Sequence, residues 1–231
     1  MSNKKHYMVL DTETASTSRV PFDIAYTIID RQGNVVEAAN YLVSEIFNSP
    51  LGKHLVSLDD FSRYKSNFYF DHATHHAEMV QPFATIQKRL RESVKKFNCV
   101  VVAYNAQFDY NALNNFSKSF GCGESFFTAD TQIWDLWNIA LCTLCDSRRY
   151  VKFANENEFT SDKGNVKTSA EIVYRYITQD IEFVEAHTAL ADTEIEAAIL
   201  TACLKRKKKL ETDFVGQVFR HPVWKKRCKI A

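Results

Sequence analysis

No stretch of this chain holds enough consecutive apolar residues to cross a bilayer. The opening "MSNKKHYMVL" has two lysines but only a short apolar run and no small-residue cleavage site, so a signal peptide is not expected. Glycine (6) and proline (4) are scarce in the 231 residues, and nowhere do they gather into a linker. No repeat and no low-complexity tract breaks the chain, which implies one domain. Six cysteines occur without a targeting signal, and "CTLC" (Cys142, Cys145) has no second CxxC to complete a zinc quartet; free thiols in a reducing cytoplasm are expected. Net charge is nearly absent, at +1, but it is unevenly spread. From Leu204 to Ala231, ten Lys or Arg face two acids, a net +8, which leaves −7 on the rest. Such a tail suits a polyanion or a solvated helix end, and an acidic body suits divalent cations.

The element pattern is that of an α/β domain. "HYMVLDTE" reads as a strand, and "DIAYTIID" and "VVEAANYLV" flank the turn residues "RQGN" as a hairpin. Residues 44–82 show no sustained period. "PFATIQKRLRESVKKF" has helical spacing, "CVVVAYN" reads as a buried strand, and a helix is expected from about Asp109 to Phe120, stopped by "GCG". A short strand "FFTAD", a helix "TQIWDLWNIALCTL", a polar loop over 147–167, and a capping box "TSAE" opening "IVYRYI" follow. A long helix is expected from about Ala189 into the basic run. Mixed sheet and flanking helices form one body over 1–204 with an extended insertion at 44–82, and 205–231 is a basic tail.

"LDTET" ends the first strand with Asp11 and Glu13 one residue apart, hence on one face. Two carboxylates side by side must be solvated, share a proton, or face a cation. Asp109 lies just beyond the buried strand "CVVVA". "HTALAD" sets His187 five residues before Asp192, about 500° of helix, so the two serve one site only if the helix begins between them. Thr188 would be its cap. Asp192 then shares a stripe with Ile195 and Ile199 and aims at the sheet. Four such carboxylates around a cavity call for hard cations. Two Mg²⁺ or Mn²⁺ would neutralise them, the arrangement of two-metal phosphodiester hydrolysis, with a loop histidine taking the water's proton. "DHATHH" offers His72, His75 and His76, better read as lying near substrate than as metal ligands. Some of the many Phe and Tyr are expected to stack on bases.

The order D-x-E, N-x-x-F-D, H-x-x-x-x-D in "LDTET", "YNAQFD" and "HTALAD" resembles the DEDDh 3′–5′ exonucleases, a family that includes proofreading subunits, ribonuclease T and oligoribonuclease. The resemblance covers roughly residues 7–204. It implies an RNase H-like fold with a mixed five-stranded sheet, metals bound by Asp11, Glu13, Asp109 and Asp192, and His187 as general base. It further implies that Thr12 and Thr14 touch the substrate's 3′ end and that Asn105 and Phe108 help position the site. The implied activity is removal of nucleoside 5′-monophosphates from 3′ ends of single-stranded nucleic acid, DNA favoured. An exoribonuclease acting on RNA ends is the alternative, and a non-catalytic nucleic-acid or polymerase-binding module the third reading. A DNA polymerase partner and a homodimer are both compatible with it, and a cytoplasmic location without membrane attachment is expected.

Overall fold

The computed structural model describes residues 5–15, 19–50, 52, 54, 66–206 and 208–214. Its first three strands, β1 (His6–Ala15), β2 (Val20–Ile29) and β3 (Val35–Val43), form an antiparallel meander, with Tyr7 opposite Ile29 and Asp23 opposite Leu42. The β2–β3 turn is closed by the Asp30 carboxylate, which accepts the amides of Gln32 (2.8 Å) and Asn34 (3.0 Å). Gly33 is required there twice over. Its φ is +92°, and a Cβ would stand 2.6 Å from Thr201 Oγ1.

Helices α1 (Ser44–Phe47) and α2 (Ser66–His75) lead to β4 (Val80–Gln81), which pairs parallel with the end of β3. Then come α3 (Phe83–Phe97), β5 (Cys99–Ala103), α4 (Ala106–Ser119) and β6 (Ile133–Asp135). Helix α5 (Leu136–Ala140) runs into a π turn over Leu141–Cys145, followed by α6 (Arg148–Glu156), α7 (Ala170–Thr178) and α8 (Ala189–Leu204). The sheet order is β4-β3-β2-β1-β5-β6, with β5 parallel to β1 and β6 parallel to β5. The α/β class and mixed sheet are as expected, but among the described residues the sheet has six strands rather than five. The extra one is β4, two residues inside the segment that showed no period.

Alternation along β1 divides the core. Tyr7 and Val9 face Ile195, Ile199 and Leu200 of α8, while Met8 and Leu10 face Phe83, Ile86 and Leu90 of α3 and Leu113 and Phe116 of α4. Both faces of β1 and β5 are covered, which is why both read as unbroken apolar runs.

Four expectations need correction. The strand over "FFTAD" is absent, and the strand forms at Ile133–Asp135 instead. Phe126 and Phe127 are core plugs, and side chains satisfy the backbone of Phe126 and its neighbour Ser125. Arg91 donates to the carbonyls of Phe126 and Ser125 (both 2.7 Å), and Asn114 Oδ1 accepts the Phe126 amide (2.7 Å). The helix expected from Thr131 therefore starts at Leu136, capped by Asp135, whose carboxylate accepts the Trp137 amide (2.9 Å). The polar loop over 147–167 contains α6, which buries Tyr150, Phe153 and Ala154 on a narrow stripe between charged residues. No capping box forms at "TSAE". Ser169 holds the cap position, the Thr168 hydroxyl accepts the Trp137 indole N–H (3.0 Å), and Glu171 pairs with Arg175 (2.8 Å).

Helix α4 begins three residues before the expected start, and α8 stops at Leu204, short of the full basic run. Residues 208–214 return to the body, where Thr212 O accepts the Asp135 amide (2.9 Å) and Asp213 O accepts from Asn138 (3.0 Å). Residues 215–231 lie outside the described residues, as does much of 51–65. Cys99, Cys122, Cys142, Cys145 and Cys203 are free thiols. No helix among the described residues is long and apolar enough to cross a membrane.

Candidate active site

β1 outruns its parallel neighbour. Their pairing ends at Val9–Val102, and β5 stops at Ala103, so the last half of β1 borders a crevice at the carboxyl ends of the two strands. Ligands of open α/β sheets favour such places. The chain leaves β5 through Asn105, whose φ of 61° and ψ of 51° put it in the left-handed region, one that Asn tolerates better than most residues. That turn sets Asp109 on the first turn of α4, 3% exposed. One Asp109 oxygen accepts both the Thr12 hydroxyl (2.7 Å) and the Thr12 amide (3.1 Å), which locks α4 to β1.

On the strand positions either side of Thr12, Asp11 and Glu13 approach Asp192, in the first turn of α8. Each of the three can offer one ligand oxygen such that all lie within 4.8 Å of one another. Burial holds the Asp11 carboxyl well above the usual carboxylate range, and the charges of Asp109, Glu196, Glu13 and Asp192 push the same way. Burial also pushes Asp109 up to about 7, against the pull of its bonds from Thr12. The donors are all carboxylate oxygens, a set that fits Mg²⁺ or Mn²⁺ better than a soft metal.

His187 sits on the loop entering α8, as the spacing required, with φ of 52°. It is half-exposed, and its Nδ1 is 3.7 Å from Glu185 Oε2. Thr188 holds the cap position but makes no side-chain cap bond. The cap comes from across the sheet: Asp23 Oδ2 accepts the Ala189 amide (3.2 Å) and the Tyr69 hydroxyl (3.0 Å), while Oδ1 accepts from Asn40. Thr14 lies half-buried just past a bulge in β1, and the half-buried Phe108 ring lies under the Arg19 guanidinium (5.3 Å). Thr12 itself is buried, with its hydroxyl turned to Asp109.

Three acids escape sequence reasoning. Glu196, 3% exposed, lies one helical turn beyond Asp192 and accepts the Tyr104 amide (3.3 Å). Burial and then the charges of Asp109 and Asp192 hold its carboxyl well above the ordinary value. The i, i+4 spacing is visible in "DTEIE", but Ile195 and Ile199 already define the stripe. Asp23, a lone acid inside an apolar strand, is a second signal. Glu185 carries none, since its place beside His187 depends on the loop's path.

No protein-family model matches the chain, and no curated protein matches it. Solved structures do. E. coli exonuclease I in complex with a dA16 oligonucleotide superposes with a TM-score of 0.56 at 16% identity, over 88% of this chain and 42% of that one. The zinc-bound form of the E. coli ExoI–ssDNA complex gives 0.54 at 16% identity, over 88% and 41%. An ExoI/SSB-Ct complex gives 0.56 at 15% identity, over 88% and 42%. The fold is shared with exonuclease I. The chain thus spans about two fifths of the length of those proteins, and at these identities the likeness is one of architecture, the RNase H-like arrangement of a mixed sheet between helices.

Proposed function

We propose that this chain is a metal-dependent 3′–5′ exonuclease of the DEDDh type, which hydrolyses the last phosphodiester bond of single-stranded nucleic acid, DNA in preference, and releases nucleoside 5′-monophosphates. One observation carries the reading: Asp11, Glu13 and Asp192 bring ligand oxygens within 4.8 Å of one another on the carboxyl-end crevice, and Asp109 is buried and bonded to the residue between the first two. The oligonucleotide complexes among the structures of like fold lend support. Asp11, Glu13, Asp109 and Asp192 would hold two Mg²⁺ or Mn²⁺ ions. Such ions, when bound, lower the pKa of an attacking water and offset charge on the leaving oxygen.

The chain's own residues have separable tasks. His187, half-exposed on the loop that enters the helix bearing Asp192, takes the proton of the attacking water. Water oxygen bonds to phosphorus, the bond from phosphorus to the upstream 3′ oxygen breaks, and that oxygen leaves as the new 3′ hydroxyl once protonated. Glu185, 3.7 Å from the His187 ring, stabilises the imidazolium that forms. Thr12 fixes Asp109, and Thr14, Asn105 and Phe108 border the path of the 3′ nucleotide. Residues 1–204 form the catalytic body and 205–231 a basic extension that adds affinity for the polyanion.

The test is incubation of the purified chain with 3′- and 5′-labelled oligonucleotides in Mg²⁺ or Mn²⁺. Stepwise loss from the 3′ end, dependent on the metal and abolished by Asp11→Ala, is expected. An oligonucleotide left intact, or one degraded equally by Asp11→Ala, overturns the proposal.

A further inference from the structure

Helix α2 brings an exposed stack of rings beside the acids. Its Tyr69 is buried against Phe22 (ring centroids 4.9 Å apart, nearly perpendicular), and its hydroxyl donates to Asp23 (3.0 Å). Asp23 stands opposite Glu13 in the β1–β2 register and caps the helix that carries Asp192. Tyr69 therefore pins α2 to the rim of the crevice. Phe68, one residue earlier, is turned about 100° around the helix from Tyr69 and is 49% exposed. One turn on, His72 lies over the Phe68 ring at 5.3 Å with only 17° between the planes, and the His76 ring, tilted by 45°, lies 4.5 Å from His72.

We propose that Phe68, backed by the His72 ring, forms a stacking platform for bases of the single strand whose 3′ end occupies the acidic crevice; the assignment of the strand rests on the nuclease reading above. Flat π faces suit any base, so such a platform adds affinity without reading sequence. Burial, and then the neighbouring His76, hold the His72 pKa below its ordinary value, which favours the uncharged ring. The other polar groups here are the acids Asp71, 3.3 Å from the His75 ring, and Glu78, 3.4 Å from the His76 ring. With no net positive charge to draw a phosphate, the face takes the bases and leaves the backbone to solvent.

The experiment measures binding of the full chain, in EDTA, to single-stranded oligodeoxynucleotides carrying 2-aminopurine at successive positions from the 3′ end. Wild type should quench the probe strongly at one or two positions. Phe68→Ala should abolish that quench and raise Kd by about 5- to 100-fold, the range expected for removal of one base stack, with Phe68→Trp restoring both. An abasic nucleotide at the quenched position should weaken wild type but add little to Phe68→Ala. Unchanged Kd and quench in Phe68→Ala/His72→Ala overturn the platform, and so does a Phe68→Ala defect of equal size with the abasic strand, which is the result expected if a protein partner or the fold is served instead. Shortening of the same oligonucleotide in Mn²⁺ is scored separately. Its absence in wild type defeats the nuclease reading, whereas the binding cycle reports on the platform alone.

Discussion

His187 and Glu196 flank Asp192 along the chain, one on the entering loop and one a turn deeper, and they should respond to substitution in opposite ways. His187 has a positive φ, so His187→Asn, which tolerates that backbone region, removes the imidazole with least strain. Turnover should fall by about 10²–10⁴-fold, the usual range for a general base, while Mn²⁺ affinity by calorimetry stays near that of wild type. A matching fall in Mn²⁺ affinity would reassign His187 to the metal site. Glu196→Gln keeps the acceptor for the Tyr104 amide and removes a carboxyl that burial and its neighbours hold well above the ordinary value. A raised carboxyl pKa means the folded chain binds the proton more tightly than the unfolded one, so ionisation costs stability as pH rises. The metal-free variant should melt higher than wild type at about pH 8 and nearly level with it at about pH 5. A lower melting temperature at the higher pH would show that the ionised group holds a partner in place.

At the scale of elements, α8 is fixed to the sheet at points that have no counterpart in local sequence preference. Thr193 donates to the Leu190 carbonyl (2.7 Å) and meets the Thr27 hydroxyl of β2 (2.8 Å) in a fully buried pair. Thr193→Val leaves the Thr27 hydroxyl without that partner in the core, at a cost of about 1–3 kcal/mol. Adding Thr27→Val should recover part of this loss, so the double variant costs less than the sum in urea unfolding. Strict additivity would mean that the pair is not coupled. The same helix explains the glycine in the β2–β3 turn, since Thr201 occupies the space that any Cβ at position 33 would need. Position and spacing of α8 thus depend on β2 as much as on its own apolar stripe.

The whole molecule gathers acids at one end of its sheet, and this sets its response to pH and metal. Asp109 titrates near 7 in the folded chain because burial raises it, against about 4 for an unfolded aspartate. Without metal, the folded state keeps more protons through that window, so stability falls as pH rises from about 4 to about 7. Melting in EDTA should show this decline for wild type, reduced in Asp109→Asn, and Mn²⁺ should stabilise more at about pH 7.5 than at about pH 5. A stabilisation by Mn²⁺ that does not grow with pH would argue against carboxylate ligation. At the other end of the chain, five Lys or Arg and no acid lie beyond Phe214, while Phe214 rests near Tyr110 (5.8 Å). Removal of residues 215–231 should flatten the salt dependence of binding to long single strands. In a plot of log K against log salt, the slope should shrink by about 0.7 for each phosphate that the tail neutralises. An unchanged slope would mean that the tail does not touch the strand.

Periodicity in the sequence was enough for the meander, for α3, for the buried β5 and for the start of α8 after His187, because each is defined by which face it buries. It was not enough for β6, α6 or the cap of α7. There, buried phenylalanines, a narrow apolar stripe and a threonine engaged by Trp137 override the local signals. The spacing of Asp11 and Glu13 and the place of Asp109 and Asp192 near helix starts were legible in the chain, and those local facts determined which residues could meet. That Asp11, Glu13 and Asp192 do meet, that Thr12 rather than solvent holds Asp109, and that Glu196, Asp23 and Tyr69 join them was decided by the tertiary structure. Side chains far apart in sequence become neighbours only when the sheet order and the helix docking place their strand ends and helix starts at one crevice, and no local pattern encodes that distance.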